Sequence, residues 1–314
     1  MATLVVALGG NAILQSKQVG TYEEQYENIK AACGAILHLI KQGHRVVITH
    51  GNGPQVGNVL IQNEEASVVT PAMPLHACVA STQGQLGYML QQAMHEALEQ
   101  AGIEKSVVSV VTRTEVALED PAFSRPSKPI GPFYTAQRAK RLMSERGYEM
   151  IEDAGRGWRR VVPSPKPLKI VELRTISDLV NSGVVVIASG GGGIPVVRTP
   201  EGQLTGVDAV IDKDLAGARL AQDLQADILM IFTDVERVAL NWGKPDQKWL
   251  SEVSLTEIKG YEHEGHFKAG SMKPKVAAAV EFVESGTGRR AVIGRLQSAE
   301  KVLAGETGTW IIPG

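Results

Sequence analysis

The sequence predicts an α/β protein whose mainly parallel sheet is covered by helices on both faces. Short apolar runs such as Thr3-Leu-Val-Val-Ala-Leu8 and Val184-Val-Val-Ile-Ala188 carry no alternating polar face, as strands buried on both sides require. Helix-patterned segments separate these runs, and strands that alternate with helices imply parallel pairing. Three runs end in glycine clusters, which fall beyond the carboxyl ends of the strands, where open α/β sheets bind ligands.

The first strand closes at Gly9-Gly10. The helix after it opens on a capping box, Thr21 with Glu24, and stops at Gly43 after a turn carrying Lys41. Arg45-Val-Val-Ile-Thr49 is the second strand; His50-Gly-Asn-Gly-Pro54 follows, and Pro54 suits the first turn of another helix. A long helix near residues 77–100 leads to the strand Ser106-Val-Val-Ser-Val-Val111. From Thr112 to about Pro167, prolines interrupt the pattern and one helical patch remains, residues 136–146. That stretch is too long for an ordinary connection and predicts a small subdomain projecting from the sheet. The alternation resumes with residues 184–188, the loop Ser189-Gly-Gly-Gly-Gly193 and a hairpin across Glu201-Gly202. Later strands are expected at 228–232, 290–293 and 309–312, with helices at about 215–224 and 274–284.

A chain of 314 residues fits either two lobes or one large domain with an insertion. With 43% hydrophobic and 21% charged residues it should fold throughout. A net charge of −2 gives no cationic field for nucleic acid. No apolar run approaches the roughly 20 residues of a membrane span, and no basic leader precedes the first strand, so the expected location is the cytoplasm. Cys33 and Cys78, far apart in apolar surroundings, read as buried thiols.

Glycines at strand ends let backbone N–H groups approach an anion, and the next helix points its positive end at the same place. Gly9, Gly10 and Asn11; Gly51, Asn52 and Gly53; and Ser189, Gly190 and Gly191 with the glycines after them would surround one crevice if their strands are neighbours. A tight turn explains any single loop; three together favour a phosphate site. Lys213, in Ile211-Asp-Lys-Asp214, and Lys275, behind Pro274, sit at helix starts, where lysine acts as a point charge on phosphate. Lys128 stands in the insert and taken alone reads as a surface charge. Asp212 and Asp214 flank Lys213, where carboxylates orient an ammonium group or reach a magnesium ion bridging phosphates. Asp214 also suits the N-cap of the helix it begins. Asp234, after Thr233, is either a ribose contact or a turn residue.

No P-loop, nucleophile elbow or H-E-x-x-H helix is present, and Gly51 to Gly57 is one residue longer than the dinucleotide fingerprint. Hydrolase, zinc protease and dehydrogenase readings lose support accordingly. His263 and His266 lack a third metal ligand. Arg156-Gly-Trp-Arg-Arg160 reads as packing and surface charge on the insert, with anion binding the alternative.

Seven strings, in order along nearly the whole chain, resemble carbamate kinases: Val5-Val-Ala-Leu-Gly-Gly-Asn-Ala12, Ile48-Thr-His-Gly-Asn-Gly-Pro-Gln-Val-Gly57, Lys128-Pro-Ile-Gly-Pro-Phe-Tyr134, Gly155-Arg-Gly-Trp-Arg-Arg-Val-Val-Pro-Ser-Pro165, Ala188-Ser-Gly-Gly-Gly-Gly193, Val210-Ile-Asp-Lys-Asp-Leu-Ala-Gly217 and Gly265-His-Phe-Lys-Ala-Gly-Ser-Met272. The resemblance implies the amino acid kinase fold, a three-layer α/β/α sandwich, and a homodimer. It implies an N-terminal lobe for carbamate or carbamoyl phosphate, residues 1–185, including a protruding subdomain at about 112–167. Residues 186–314 would form the nucleotide lobe. The implied reaction moves a phosphoryl group between ATP and carbamate, giving ADP and carbamoyl phosphate, with Mg²⁺. Relatives that phosphorylate acetylglutamate or aspartate usually carry a lysine two residues before the first Gly-Gly pair. Here that place is Ala7, and in carbamate kinases the charge comes from the subdomain, at the position of Lys128. By the same matching Lys213 and Lys275 face phosphate and Asp214 organises the site. Gly10 and Asp234 fall on the nucleotide side, and Asp212 is the expected metal contact.

Carbamate is already an anionic nucleophile, so its phosphorylation needs in-line positioning and charge neutralisation rather than a general base. Lysines and backbone amides without a nucleophile–histidine pair fit that chemistry. Two other readings stay open: a kinase for another small acid, and a nucleotide sensor without turnover. Intact Lys128, Lys213, Asp214 and Lys275 speak against the second.

Overall fold

The computed structural model describes residues 1–153, 155–268 and 270–314; Ala269, part of the string Gly265 to Met272, and Ala154 lie outside the described residues. Its centre is an eight-stranded sheet. In chain order the strands are β1 (Thr3–Leu8), β2 (Arg45–His50), β3 (Val107–Ser109), β4 (Val185–Ile187), β5 (Ile228–Thr233), β6 (Glu252–Ser254), β7 (Arg290–Arg295) and β8 (Thr309–Ile312). Across the sheet they run β6-β8-β7-β5-β1-β2-β4-β3. Pairing is parallel from β7 to β3, whereas β8 is antiparallel to β7 and β6 is parallel to β8. The helices are α1 (Tyr22–Lys41), α2 (Gly53–Ala66), α3 (Leu75–Gln100), α4 (Ala136–Arg146), α5 (Leu173–Asn181), α6 (Lys213–Asp223), α7 (Leu255–His263), α8 (Met272–Glu284) and α9 (Ala299–Leu303).

The two-residue period of a strand divides its side chains between two apolar layers. Val5 and Ala7 of β1, with Leu229 and Ile231 of β5, pack under α5, α6, α7 and α8. Leu4, Val6 and Leu8, with Met230 and Phe232, pack under α1, α3 and α9. Both faces are dry, which is why the strand sequences show no polar alternation. The result is a three-layer α/β/α sandwich.

The start of α1 follows its sequence. Thr21 Oγ1 accepts from the Glu24 N–H at 3.3 Å, and Glu24 Oε2 accepts from the Thr21 N–H at 3.2 Å. Thr21→Ala should therefore lower stability by about 1 kcal/mol, read as a shifted denaturant midpoint.

The proline-rich stretch divides in two. Its margins join the body: Arg113–Glu115 and Lys169–Ile170 pair with Ile194–Arg198 and Leu204–Gly206 in a four-stranded sheet. The projecting part is a three-stranded sheet of Lys128–Tyr134, Trp158–Val162 and Met150–Glu152, and α4 packs on it through Ala139 and Leu142. Cys33 and Cys78 are free and buried. No helix of the described residues is long and apolar enough to cross a membrane.

Candidate active site

Adjacent pairing of β1 and β2 brings their glycine loops out together, since Leu8 stands opposite His50. The Gly51 N–H donates to the Leu8 carbonyl at 3.2 Å and the Gly9 N–H to the Phe232 carbonyl at 3.1 Å. A Cβ on Gly9 would sit 2.9 Å from that carbonyl, so only glycine closes the turn this tightly. From the other layer, α6 approaches the same point. It lies on the sheet at Gly217, whose Cβ position falls in ordinary van der Waals contact with Thr49 Cγ2 at 3.4 Å and Ala7 Cβ at 3.7 Å. The first turn of α6 thereby reaches the strand ends, and Lys213 runs beside Gly51, where an added Cβ would lie 3.1 Å from Lys213 Cδ.

Asp212, rather than Asp214 as the sequence suggested, caps α6. Its Oδ1 accepts from the N–H groups of Asp214 at 2.9 Å and Leu215 at 3.4 Å, because the helix starts at Lys213. Asp214 is instead turned inward. Lys213 Nζ donates to its Oδ1 at 2.6 Å, and Lys275 Nζ, from the first turn of α8, donates to its Oδ2 at 3.0 Å. Asp214 is 3% exposed. Burial alone would push its pKa up, but the two ammonium groups outweigh burial and hold it below the ordinary carboxylate value. The charged carboxylate in turn fixes both lysines in one place. Lys128 Nζ arrives from the subdomain and donates to Asp212 Oδ2 at 3.0 Å. Three lysines are thus gathered by two aspartates at the N-terminus of α6, where the cationic side chains and the positive end of the helix dipole favour an anion.

Beside Lys275 opens a cleft of about 610 Å³, also lined by Gly9, Gly10, Asn11 and Asp234. That volume suits a ligand of nucleotide size. Asp234 Oδ2 accepts from Asn11 Nδ2 at 3.4 Å and its Oδ1 from Thr233 Oγ1 at 3.0 Å, which ties the two strand ends together. Ser271 and Arg295 line the cleft too, and sequence reasoning passed over both. The available signal was Arg295 at the carboxyl end of a strand already recognised, β7, next to β5.

The Ser189 to Gly193 loop is placed differently from the other two: it is wholly buried. An added Cβ would collide with His50 Nε2 from Gly190 (2.4 Å), with Asn52 Nδ2 from Gly191 (2.3 Å) and with Thr114 Oγ1 from Gly193 (2.0 Å). Side chains take its backbone groups. Gln83 Nε2 donates to the Gly190 carbonyl at 2.9 Å, Thr49 Oγ1 to the Ser189 carbonyl at 3.1 Å, and the Ser189 N–H to Thr112 Oγ1 at 2.9 Å. These glycines serve close packing and form a floor beneath Asn52, which is itself held by Thr82 at 2.8 Å. Gly53 is exposed at the start of α2.

His50, 2% exposed, lies against this floor. Its Nδ1 is 3.0 Å from the Gly51 carbonyl, which can only accept, so Nδ1 carries the proton. Burial, aided by the charge of Lys213, lowers its pKa from 6.5 to about 4. The unfolded chain binds this proton below about pH 6.5 and the native one only near pH 4, so stability should fall as pH drops through that window. The loss is on the order of 3 kcal/mol. In His50→Gln, denaturant midpoints measured across the window should show a shallower acid limb.

Comparison with known proteins identifies the family. The model of the Amino acid kinase family matches residues 2–294. The chain is 55% identical to the carbamate kinase of Thermococcus kodakarensis over 99% of both chains. With that of Clostridium perfringens the identity is 48%, over 98% of this chain and 99% of the other. The solved structure of carbamate kinase from Giardia lamblia bound to AMP-PNP superposes with a TM-score of 0.95 at 49% identity, covering 100% of this chain and 99% of that one. On this full-length likeness the chain belongs to the amino acid kinase family and, within it, to the carbamate kinases.

Proposed function

We propose that the protein catalyses reversible phosphoryl transfer between ATP and carbamate, giving ADP and carbamoyl phosphate. The observation that carries this reading is the convergence of Lys213 and Lys275 on buried Asp214, between the β1 and β2 glycine loops and the 610 Å³ cleft. Nucleotide would occupy the cleft, in line with the AMP-PNP bound by the Giardia lamblia relative. The small acid would lie at Gly10, Asn11 and the Gly51 to Gly53 loop, above the floor of Ser189, Gly190 and Gly191. The lysines between them would neutralise the transferring group, which is the main demand of phosphoryl transfer. Ala7 is buried against Gly217, so the strand offers no cation here and Lys128 supplies one from the subdomain.

Asp212 and Asp214 are already bonded to lysines and amides. Such carboxylates fit a magnesium ion held chiefly by phosphate oxygens and water, to which Asp212 would contribute by exchanging its bond to Lys128. The ion would add positive charge to the phosphoryl oxygens. The two lobes, residues 1–185 and 186–314, divide acid from nucleotide in this reading. The protein is read as a cytoplasmic homodimer; Tyr88 and Val111, exposed beside the edge strand β3, support contact with a second copy.

With ATP and Mg²⁺, ADP should form when bicarbonate and ammonia are supplied as the source of carbamate. ADP formed with acetylglutamate or aspartate instead would favour a different acid kinase.

A further inference from the structure

The arginines of the Arg156 to Arg160 string part company in the structure. Arg156 and Arg159 stay within the subdomain, their guanidinium carbons 5.0 and 5.3 Å from the Phe133 ring centre. Arg160 bridges to the body. Its guanidinium stacks 3.9 Å over Tyr148 while Nη2 donates to Asp208 Oδ2 at 3.4 Å, and the side chain is only 13% exposed.

Asp208 is anchored in turn, its Oδ1 accepting from the Leu75 N–H at the start of α3 at 3.0 Å. Two residues on, the Val210 N–H donates to the Pro163 carbonyl at 3.0 Å. Two residues further, Asp212 holds Lys128, and Lys128 pairs with Val162 across the subdomain sheet. One short strip of the body, residues 208–212, therefore receives Arg160, Pro163 and Lys128 in turn. The subdomain also packs on the body through Ile130 and Val162, which share an apolar cluster with Val56, Leu60 and Leu75, but a cavity of about 260 Å³ between Leu60, Asn63, Arg146 and Tyr148 interrupts that packing beside the ion pair.

We propose that Arg160 and Asp208 are positioning residues for phosphoryl transfer: their ion pair fixes the docked subdomain so that Lys128 stands at the substrate. This rests on the reading of Lys128 as the charge supplied to the acid. Arginine is required because a planar guanidinium stacks on Tyr148 and bonds Asp208 at once, which an ammonium group does not.

The test is steady-state kinetics with carbamoyl phosphate and ADP for Asp208→Asn, Arg160→Lys, Lys128→Ala and the double variant Asp208→Asn/Lys128→Ala. Each of the first two should lose about 10- to 100-fold in kcat/KM for carbamoyl phosphate, the scale of a small misplacement of a catalytic group. ADP binding, measured directly, should be unchanged and shows that the variants fold. The double variant should fall no further than Lys128→Ala, because the pair acts through that lysine. Losses that multiply in the double variant, or an equal weakening of ADP binding, would overturn the proposal. An inactive wild type would instead overturn the carbamate kinase reading, and a fully active Lys128→Ala the role of Lys128 and with it the proposal.

Discussion

Lys213→Ala is expected to reduce turnover by about 10²- to 10³-fold, the scale for removing one preorganised electrostatic contact from a transition state. Lys213 is fixed from two sides: its stem lies against Gly51 and its ammonium group is held by Asp214 at 2.6 Å. No other lysine takes that place, because Lys275 is bound to the opposite oxygen of the same carboxylate and Lys128 to Asp212. Lys213→Arg should not rescue, since a planar guanidinium on the same stem does not reproduce the compact donor. Turnover under saturating carbamoyl phosphate and ADP checks both variants. Activity close to wild type in Lys213→Ala would remove the site assignment.

Gly192→Ala should be among the most destabilising single methyl additions in the chain. Its backbone is left-handed at φ +92°, and the new Cβ would stand 2.5 Å from the Ile211 carbonyl oxygen, a backbone atom with no rotamer to escape into. Strain and overpacking together predict a loss of roughly 2–5 kcal/mol in denaturant unfolding. Ile211 precedes Asp212, so relief of the clash would shift the cap of α6, and activity should fall along with stability. A midpoint within error of wild type would show that the loop is not packed as described.

How much of this was legible in the sequence depended on how local each cause is. β1, β2, β4 and β5 announce themselves because strands dry on both faces need unbroken apolar runs, and α1 because a capping box is written within four residues. β6 has three residues and one buried side chain, Val253, too little to show a period. The lysines at 213 and 275 were recognisable from their helix-start positions. Which of two neighbouring aspartates caps α6 was not, since Asp212 and Asp214 have the same chemistry and only the starting point of the helix distinguishes them. The burial of the Ser189 to Gly193 loop was also hidden. Its partners, Thr49, His50, Asn52 and Thr114, come from remote parts of the chain, and the glycines that looked like an open phosphate cradle answer to those contacts. Arg160 likewise looked like surface charge because Asp208 lies 48 residues away.

The most direct measurement of the central claim is ATP formation from carbamoyl phosphate, ADP and Mg²⁺, followed in the wild-type protein and in Lys275→Ala. The wild type should form ATP in proportion to carbamoyl phosphate consumed, and Lys275→Ala should do so about 10²- to 10³-fold more slowly. Carbamoyl phosphate left intact by the folded wild type, or ATP formed at the same rate without Lys275, would contradict the account.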